Sequence, residues 1–202
     1  CEWNRRIRYV DAAAIDAPFL SNHDMNRSAG YFPRNDRQRK LAAALVLLGP
    51  GRPFLYYGEE LGLTGSGKDE NKRMPMLWSA EDNTGACKPP KGVDQVQRLK
   101  LGAKEQESDP ESLLCFYRAL GALRRQAPQL DTAAPELADT GCDAVTAYRC
   151  EDATVLVNLG EESVRLPESG TLLGALGTGD GEPTLENGTL LLPGGSVAVL
   201  VP

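Results

Sequence analysis

Ala17-Pro18-Phe19-Leu20-Ser21-Asn22-His23-Asp24-Met25-Asn26-Arg27 is the stretch whose reading decides the fold. An apolar run ends abruptly in an amide, an imidazole, a carboxylate and, three residues on, a guanidinium. A buried parallel strand reads this way where its C-terminal end opens into a site. His23 is the only histidine of the chain. A carboxylate in this setting accepts sugar hydroxyls and stabilises a developing cation, and an imidazole beside it donates a hydrogen bond. The alternative is structural: Asn22-His23-Asp24 as a turn with a capping Asp.

Outward from this stretch, residues 37–48 form a helical pattern. Leu41, Leu45 and Leu48 recur at helical spacing, Asn35 or Asp36 offers a cap, and Gly49-Pro50-Gly51 stops the run. A second apolar block follows at residues 53–57. Strand, helix and strand make one turn of an α/β barrel wall. Residues 62–105 read as a long irregular loop on the face where barrel sites are built. A further helix is predicted over 110–126, with Asp109 as cap and Leu113, Phe116, Tyr117, Leu120 and Leu123 on one stripe.

Phe19-Leu20-Ser21-Asn22-His23-Asp24 resembles the signature at the end of the seventh barrel strand in the α-amylase family of glycoside hydrolases. Gly51-Arg52-Pro53-Phe54-Leu55-Tyr56-Tyr57-Gly58-Glu59-Glu60-Leu61-Gly62 resembles that family's eighth strand and the loop after it, and Arg73-Met74-Pro75-Met76-Leu77-Trp78 resembles the next substrate-side loop. The resembling region runs from about residue 12 to about residue 130, element ends being uncertain by a few residues.

The resemblance implies that Asp24 is the family's third carboxylate, which binds sugar hydroxyls at the cleavage subsite and helps distort the ring. His23 matches the residue that hydrogen-bonds the same sugar. Asn22 orients Asp24 or touches substrate, Arg27 contacts substrate or forms a structural ion pair, and Arg73 flanks the cleft. Tyr56 and Tyr57 read as core, with stacking on a sugar ring as the other possibility, and Trp78 reads as a loop anchor. Adjacent Glu59 and Glu60 do not face each other as a retaining pair must, and read as acceptors that organise the loop.

A complete (β/α)8 barrel takes ~250 residues and eight strands, and two barrel strands are recognisable here, at 18–22 and 53–57. The family's nucleophile Asp and acid/base Glu belong to the fourth and fifth strands, which have no counterpart among these residues. The expectation is therefore a partial TIM-barrel remnant, the C-terminal part of a retaining enzyme acting on α-glucan or malto-oligosaccharide, inactive as an isolated chain. Its partner would be the missing N-terminal barrel part or a second copy of itself. The alternative is a non-catalytic carbohydrate-binding or structural module.

Composition places a boundary near residue 130. Residues 1–126 hold 20 Lys and Arg against 16 Asp and Glu, whereas residues 127–202 hold 2 against 12. From residue 131 the apolar period becomes two, with strands predicted at 145–149, 154–158, 163–166, 189–192 and 196–201. The reading is thus α/β plus all-β: residues 1–130 as the end of the catalytic barrel and 131–202 as an antiparallel β-sandwich. The acidic half has no basic patch for nucleic acid, and no run suits a membrane. Five scattered cysteines read as free thiols, though Cys142 and Cys150 could bridge neighbouring strands. No metal site is expected, Asp69-Glu70-Asn71 lacking calcium-loop spacing. No cofactor is expected in this chain, and calcium is left open for a longer parent.

Overall fold

The computed structural model describes residues 2–32, 35–97, 99–179 and 181–202. By its contacts the chain forms two units. One comprises Cys1–Pro18, Leu41–Pro53 and Ala119–Pro202, the other Phe19–Lys40 and Phe54–Arg118. Among the described residues no helix is long and apolar enough to cross a membrane.

The first unit contains the sandwich. Its strands are β1 (Pro135–Ala138), β2 (Val145–Cys150), β3 (Ala153–Asn158), β4 (Val164–Pro167), β5 (Thr171–Gly177), β6 (Thr184–Glu186), β7 (Thr189–Leu192) and β8 (Ser196–Val201). They pair antiparallel into a five-stranded sheet, ordered β1-β2-β3-β8-β5, and a three-stranded one, ordered β4-β7-β6. This is the sandwich that the period-two pattern predicts. Val145, Ala147, Leu156, Ala198 and Leu200 from one sheet meet Leu166, Leu190 and Leu192 from the other. Val155, Val157, Val197 and Val199 alternate with these inward residues yet are also buried, so the central strands β3 and β8 are covered on both faces.

Two details hold the register. Asn187 (φ 49°) and Gly188 (φ 74°) make a two-residue loop between β6 and β7, the positive-φ pair that matches strand twist. Asn158 at the end of β3 is fully buried. Its amide donates to the carbonyls of Glu162, Leu192 and Pro193, and its Oδ1 accepts the Gly160 N–H, so every polar atom of the side chain is used.

Helices complete this unit. The helix α1 (Glu2–Val10) is fastened by Asn4 and Trp3, which donate to the Asp16 carboxylate at 3.2 and 3.3 Å. The helix α2 (Asp36–Leu47) begins and ends one residue earlier than its pattern suggested, and α5 (Leu113–Gln126) starts three residues later. Arg124 on α5 donates Nη1 to the Leu47 and Gly49 carbonyls at 2.6 and 2.9 Å and Nη2 to the Gly51 carbonyl, capping α2 rather than its own helix. A Cβ on Gly174 would stand 2.6 Å from Leu123 Cδ1, so the glycine in β5 is where α5 presses on the sheet. A four-residue turn, α6 (Gln129–Thr132), follows.

The second unit is mostly loop, with a 3-10 turn at Ser28–Gly30, another at Glu59–Leu61, and two short helices, α3 (Asp69–Lys72) and α4 (Ala103–Glu107). The 62–105 stretch is tied by side chains rather than by ladders. Gln97 brackets Thr64, Gln95 brackets Ser66, and Asn71 pairs with Asp94 in both directions.

Residues 18–22 and 53–57, expected as barrel strands, form no hydrogen-bonded ladder among the described residues. A strand exists only against a partner strand, and here the polar groups of these segments have other partners. The Tyr56 carbonyl accepts from the Glu59 N–H, the Tyr57 carbonyl from Arg27, and Ser21 donates to Glu59. What the chain carries is the loop-bearing ends of a barrel wall, without a closed barrel.

Candidate active site

The polar groups after Leu20 are arranged by a local turn. Asn22 Oδ1 accepts the N–H groups of Asp24 and Met25 at 2.9 and 3.0 Å, an Asx turn that throws the Asp24 side chain outward. Behind it Ser21 is buried, although Phe19 stays exposed. Ser21 donates to Glu59 Oε2 at 2.7 Å and Tyr117 donates to Glu59 Oε1 at 3.2 Å, so a carboxylate at 3% exposure anchors the last apolar residues. Burial pushes the Glu59 carboxyl above its ordinary value, against the pull of the hydrogen bonds from Ser21, Tyr117 and Ser28. The same burial, with Glu59 beside it, raises the Tyr117 hydroxyl. Glu59 opens its 3-10 turn between Gly58 (φ 78°) and Gly62 (φ 79°). A Cβ on Gly58 would collide with Leu63, which explains the glycine there.

Asp24 meets two cationic or protonatable groups. His23 Nε2 lies 3.3 Å from Oδ2 and Arg73 Nη2 lies 3.4 Å from Oδ1. The side chains of His23 and Asp24 are 63% and 65% exposed, so lone pairs of the carboxylate remain open to a ligand. Arg73 also reaches Asp69 Oδ2 at 3.4 Å. The hydrogen bond from Lys72 holds the Asp69 carboxyl below its ordinary range.

Arg27 lies behind this surface, at 1% exposure. Nε donates to the Lys72 carbonyl at 2.8 Å and Nη1 to the Tyr57 carbonyl at 2.6 Å. Its guanidinium carbon stands 4.4 Å from the Tyr56 ring centre and 4.6 Å from that of Tyr57. A desolvated cation over an aromatic face gains about 2 kcal/mol, which offsets part of the burial that lowers its pKa. Arg27 thus binds through carbonyls and rings, where the sequence suggested a carboxylate or a substrate. Tyr57 is 42% exposed and donates to the Met74 carbonyl at 2.8 Å, so it is not a core residue; Tyr56 is half-buried. Trp78 is 54% exposed and its main-chain N–H donates to Asn83 Oδ1 at 2.9 Å.

Five residues named from the sequence therefore fall in one neighbourhood: His23, Asp24 and Arg73 on the surface, Asn22 as the turn, Arg27 underneath. Lys72, Asp69 and Tyr117 were not foreseen as part of it, whereas Glu59 is the loop-organising acceptor that the sequence suggested. A cavity of about 1330 Å³ in the same unit takes in Asn26 and Arg27 but not His23, Asp24 or Arg73. Two of its lining carboxylates are paired, Asp36 with Arg39 and Asp94 with Lys68, and the outward carboxylate of Asp24, between His23 and Arg73, is the candidate group. No group of His, Cys, Asp and Glu among the described residues has the arrangement of a metal site.

An outward carboxylate at the end of an apolar segment, on a barrel-wall fragment in a chain that also builds a β-sandwich, belongs to the architecture of glycoside hydrolases. The family model for the α-amylase catalytic domain matches residues 2–133, and the chain belongs to the α-amylase family. The α-amylase SusG of Bacteroides thetaiotaomicron is 39% identical over 118 residues, covering 57% of this chain and 17% of that protein. Alpha-amylase 3 of Dictyoglomus thermophilum is 32% identical over 139 residues, covering 67% of this chain and 28% of that protein. Among solved structures, Eubacterium rectale Amy13B superposes with a TM-score of 0.91 at 29% identity, over 99% of this chain and 41% of that one. The chain thus spans well under half the length of each of these relatives.

Proposed function

We propose that the chain is the C-terminal part of a retaining, α-glucan-active glycoside hydrolase whose substrates are starch or malto-oligosaccharides. The observation that carries this is the Asp24 carboxylate, turned outward by Asn22 between His23 and Arg73. In this reading Asp24 accepts hydroxyls of the sugar at the cleavage subsite and faces the positive charge that develops on its ring. His23 donates to the same sugar. Arg73 lines the cleft, while Asn22 and Arg27 orient the carboxylate from below.

Retaining chemistry needs a nucleophile and an acid/base whose carboxyls stand ~5 Å apart. The neighbouring carboxylate, Asp69, is engaged by Lys72 and Arg73 rather than facing Asp24 as a retaining partner. The chain alone is accordingly inactive. The exposed apolar side chains of Phe54 and Leu55, at 65% and 52%, are surfaces for the rest of the barrel or for a second copy.

The test is a reducing-sugar assay on soluble starch and maltoheptaose. The 202-residue chain should give no turnover. A longer polypeptide carrying the rest of the barrel should be active, and Asp24→Asn in it should lower kcat by about 10²–10³-fold. Near-normal turnover by that variant would remove Asp24 from the catalytic groups. Binding of maltoheptaose with no activity in any longer form would favour a carbohydrate-binding module instead.

A further inference from the structure

We infer that Lys72 is a positioning residue for Asp24: it fixes the main chain from which the carboxylate projects, a role that rests on the reading of Asp24 given above. The Lys72 side chain is 8% exposed, which is unusual for an ammonium on a loop-rich unit. Its Nζ donates to the main-chain carbonyl of Asp24 at 2.8 Å and to Asp69 Oδ1 at 3.1 Å. A buried ammonium persists only where such bonds offset its lost hydration.

The lysine is itself held from the other side. Its carbonyl accepts Arg27 Nε at 2.8 Å and the Tyr56 hydroxyl at 3.2 Å, and Arg27 is fixed in turn by the Tyr57 carbonyl and both tyrosine rings. The next residue, Arg73, reaches the Asp24 carboxylate. Two successive residues of the 69–73 segment therefore grip Asp24 at two points, Lys72 on the backbone and Arg73 on the carboxylate, 48 and 49 residues away in sequence.

The Asx turn at Asn22 sets the direction of Asp24 but does not by itself hold it at a fixed distance from a bound sugar, because an exposed turn closed by two hydrogen bonds opens transiently and shifts as it does. The Lys72 bond removes that freedom. Charge stabilisation of a transition state depends steeply on sub-ångström placement, whereas ground-state contacts made elsewhere on a sugar chain do not. Loss of Lys72 should therefore appear in kcat far more than in KM.

Two measurements test this. The first needs no substrate: amide hydrogen exchange in the 202-residue chain. Lys72→Met should speed exchange at Asp24 and Met25 by about tenfold while core amides of the sandwich stay protected. Lys72→Arg, which can still donate to both the carbonyl and Asp69, should keep it slow. The second is kinetic, in the polypeptide that carries this chain with the rest of its barrel. Lys72→Met should lower kcat on maltoheptaose by about 10- to 100-fold with KM within about twofold, and Lys72→Arg should restore most of kcat.

Unchanged exchange at Asp24 and Met25 in Lys72→Met would overturn the inference. So would equal loss of kcat in the Met and Arg variants, which marks a merely structural site. If Lys72→Met does not fold, Lys72→Arg decides by itself, through slow exchange and near-native kcat or their absence. Asp24→Asn serves as the separating control. Full activity in that variant sinks the catalytic reading of Asp24 and the kinetic role of Lys72 with it, whereas a failed exchange test beside an inactive Asp24→Asn sinks the positioning role alone.

Discussion

Glu59 is the residue whose burial has the most direct solution consequence. Its folded pKa lies above the ordinary glutamate value of 4.5, because desolvation outweighs the hydrogen bonds it accepts. Between those two values the folded state binds more protons than the unfolded chain, so this group's contribution to stability is largest below pH 4.5 and falls as pH rises through that window. Glu59→Gln removes the slope. Thermal unfolding of both proteins from pH 4 to pH 8 should show the wild type gaining on the variant as the solution is acidified; a constant gap would contradict the account. Cys150 offers a second residue-level test. Burial pushes its thiol up to about 11, while Cys87 is exposed. A native thiol titration at pH 8 should modify Cys87 rapidly and leave Cys150 unmodified until the protein is unfolded. Equal rates at the two would show that the strand end bearing Cys150 opens readily. His23, Asp24 and Arg73, which the structure brings together, could be named as candidates from the sequence because each sits in a local motif of a few letters. Lys72 and Tyr117 were not, since their partners Asp24 and Glu59 lie 48 and 58 positions away and no short pattern encodes such pairs.

Elements show the same division between local and distant causes. The helix α2 was readable from its leucine spacing and its Gly-Pro-Gly stop, and α5 from its stripe. That α2 is capped by Arg124 of α5 was invisible, because a guanidinium near its own helix end looks like ordinary dipole pairing. Arg124→Ala should destabilise by about 3 kcal/mol, since it leaves three carbonyls and Asp131 without their donor. Arg124→Lys should recover less than half, an ammonium lacking the planar fork. Urea denaturation of both variants measures this, and full rescue by Lys would refute the fork geometry. In the sandwich, Leu156→Ala empties a fully buried position between the sheets and should cost about 2–5 kcal/mol. The strands β2, β3, β4, β7 and β8 were foreseen from runs of β-branched and apolar residues between turn signals. The strand β5 was not. Thr171-Leu172-Leu173-Gly174-Ala175-Leu176-Gly177 has no alternation, carries a register shift at Leu172/Gly174, and includes a glycine required by Leu123 of another element. The strand β1 opens on a proline and spans four residues, which is little signal in a single sequence. The segments at 18–22 and 53–57 err in the opposite sense: their apolar runs read as strands, but a ladder depends on neighbours that an apolar run does not itself provide.

At the level of the whole molecule, the acidic, period-two C-terminal half was legible as a separate kind of structure, whereas the grouping of Leu41–Pro53 with Ala119–Pro202 was not. Exposed Phe54 and Leu55 carry a prediction at this scale. Size-exclusion chromatography with light scattering should show concentration-dependent association of the chain, reduced by the double substitution Phe54→Asp and Leu55→Asp, which leaves the sandwich untouched. A wild-type chain that stays monomeric at high concentration would show that these side chains need no cover.

The division into units also bears on how the protein is made. Phe19–Lys40 and Phe54–Arg118 can complete one unit once residue 118 has emerged from the ribosome, while Cys1–Pro18 and Leu41–Pro53 belong with strands that have not yet emerged. At ribosomal speed the remaining stretch takes on the order of ten seconds. During that interval the Leu47 and Gly49 carbonyls lack Arg124, and Leu48 lacks the hydroxyl of Tyr148 that binds its carbonyl at 2.7 Å in the finished protein. The nascent chain therefore carries a finished site-bearing unit beside an open helix end. A translation pause placed after residue 118 has emerged from the ribosome would prolong exposure of that end, whereas one placed after Tyr148 has emerged would come when Arg124 and Tyr148 are already available.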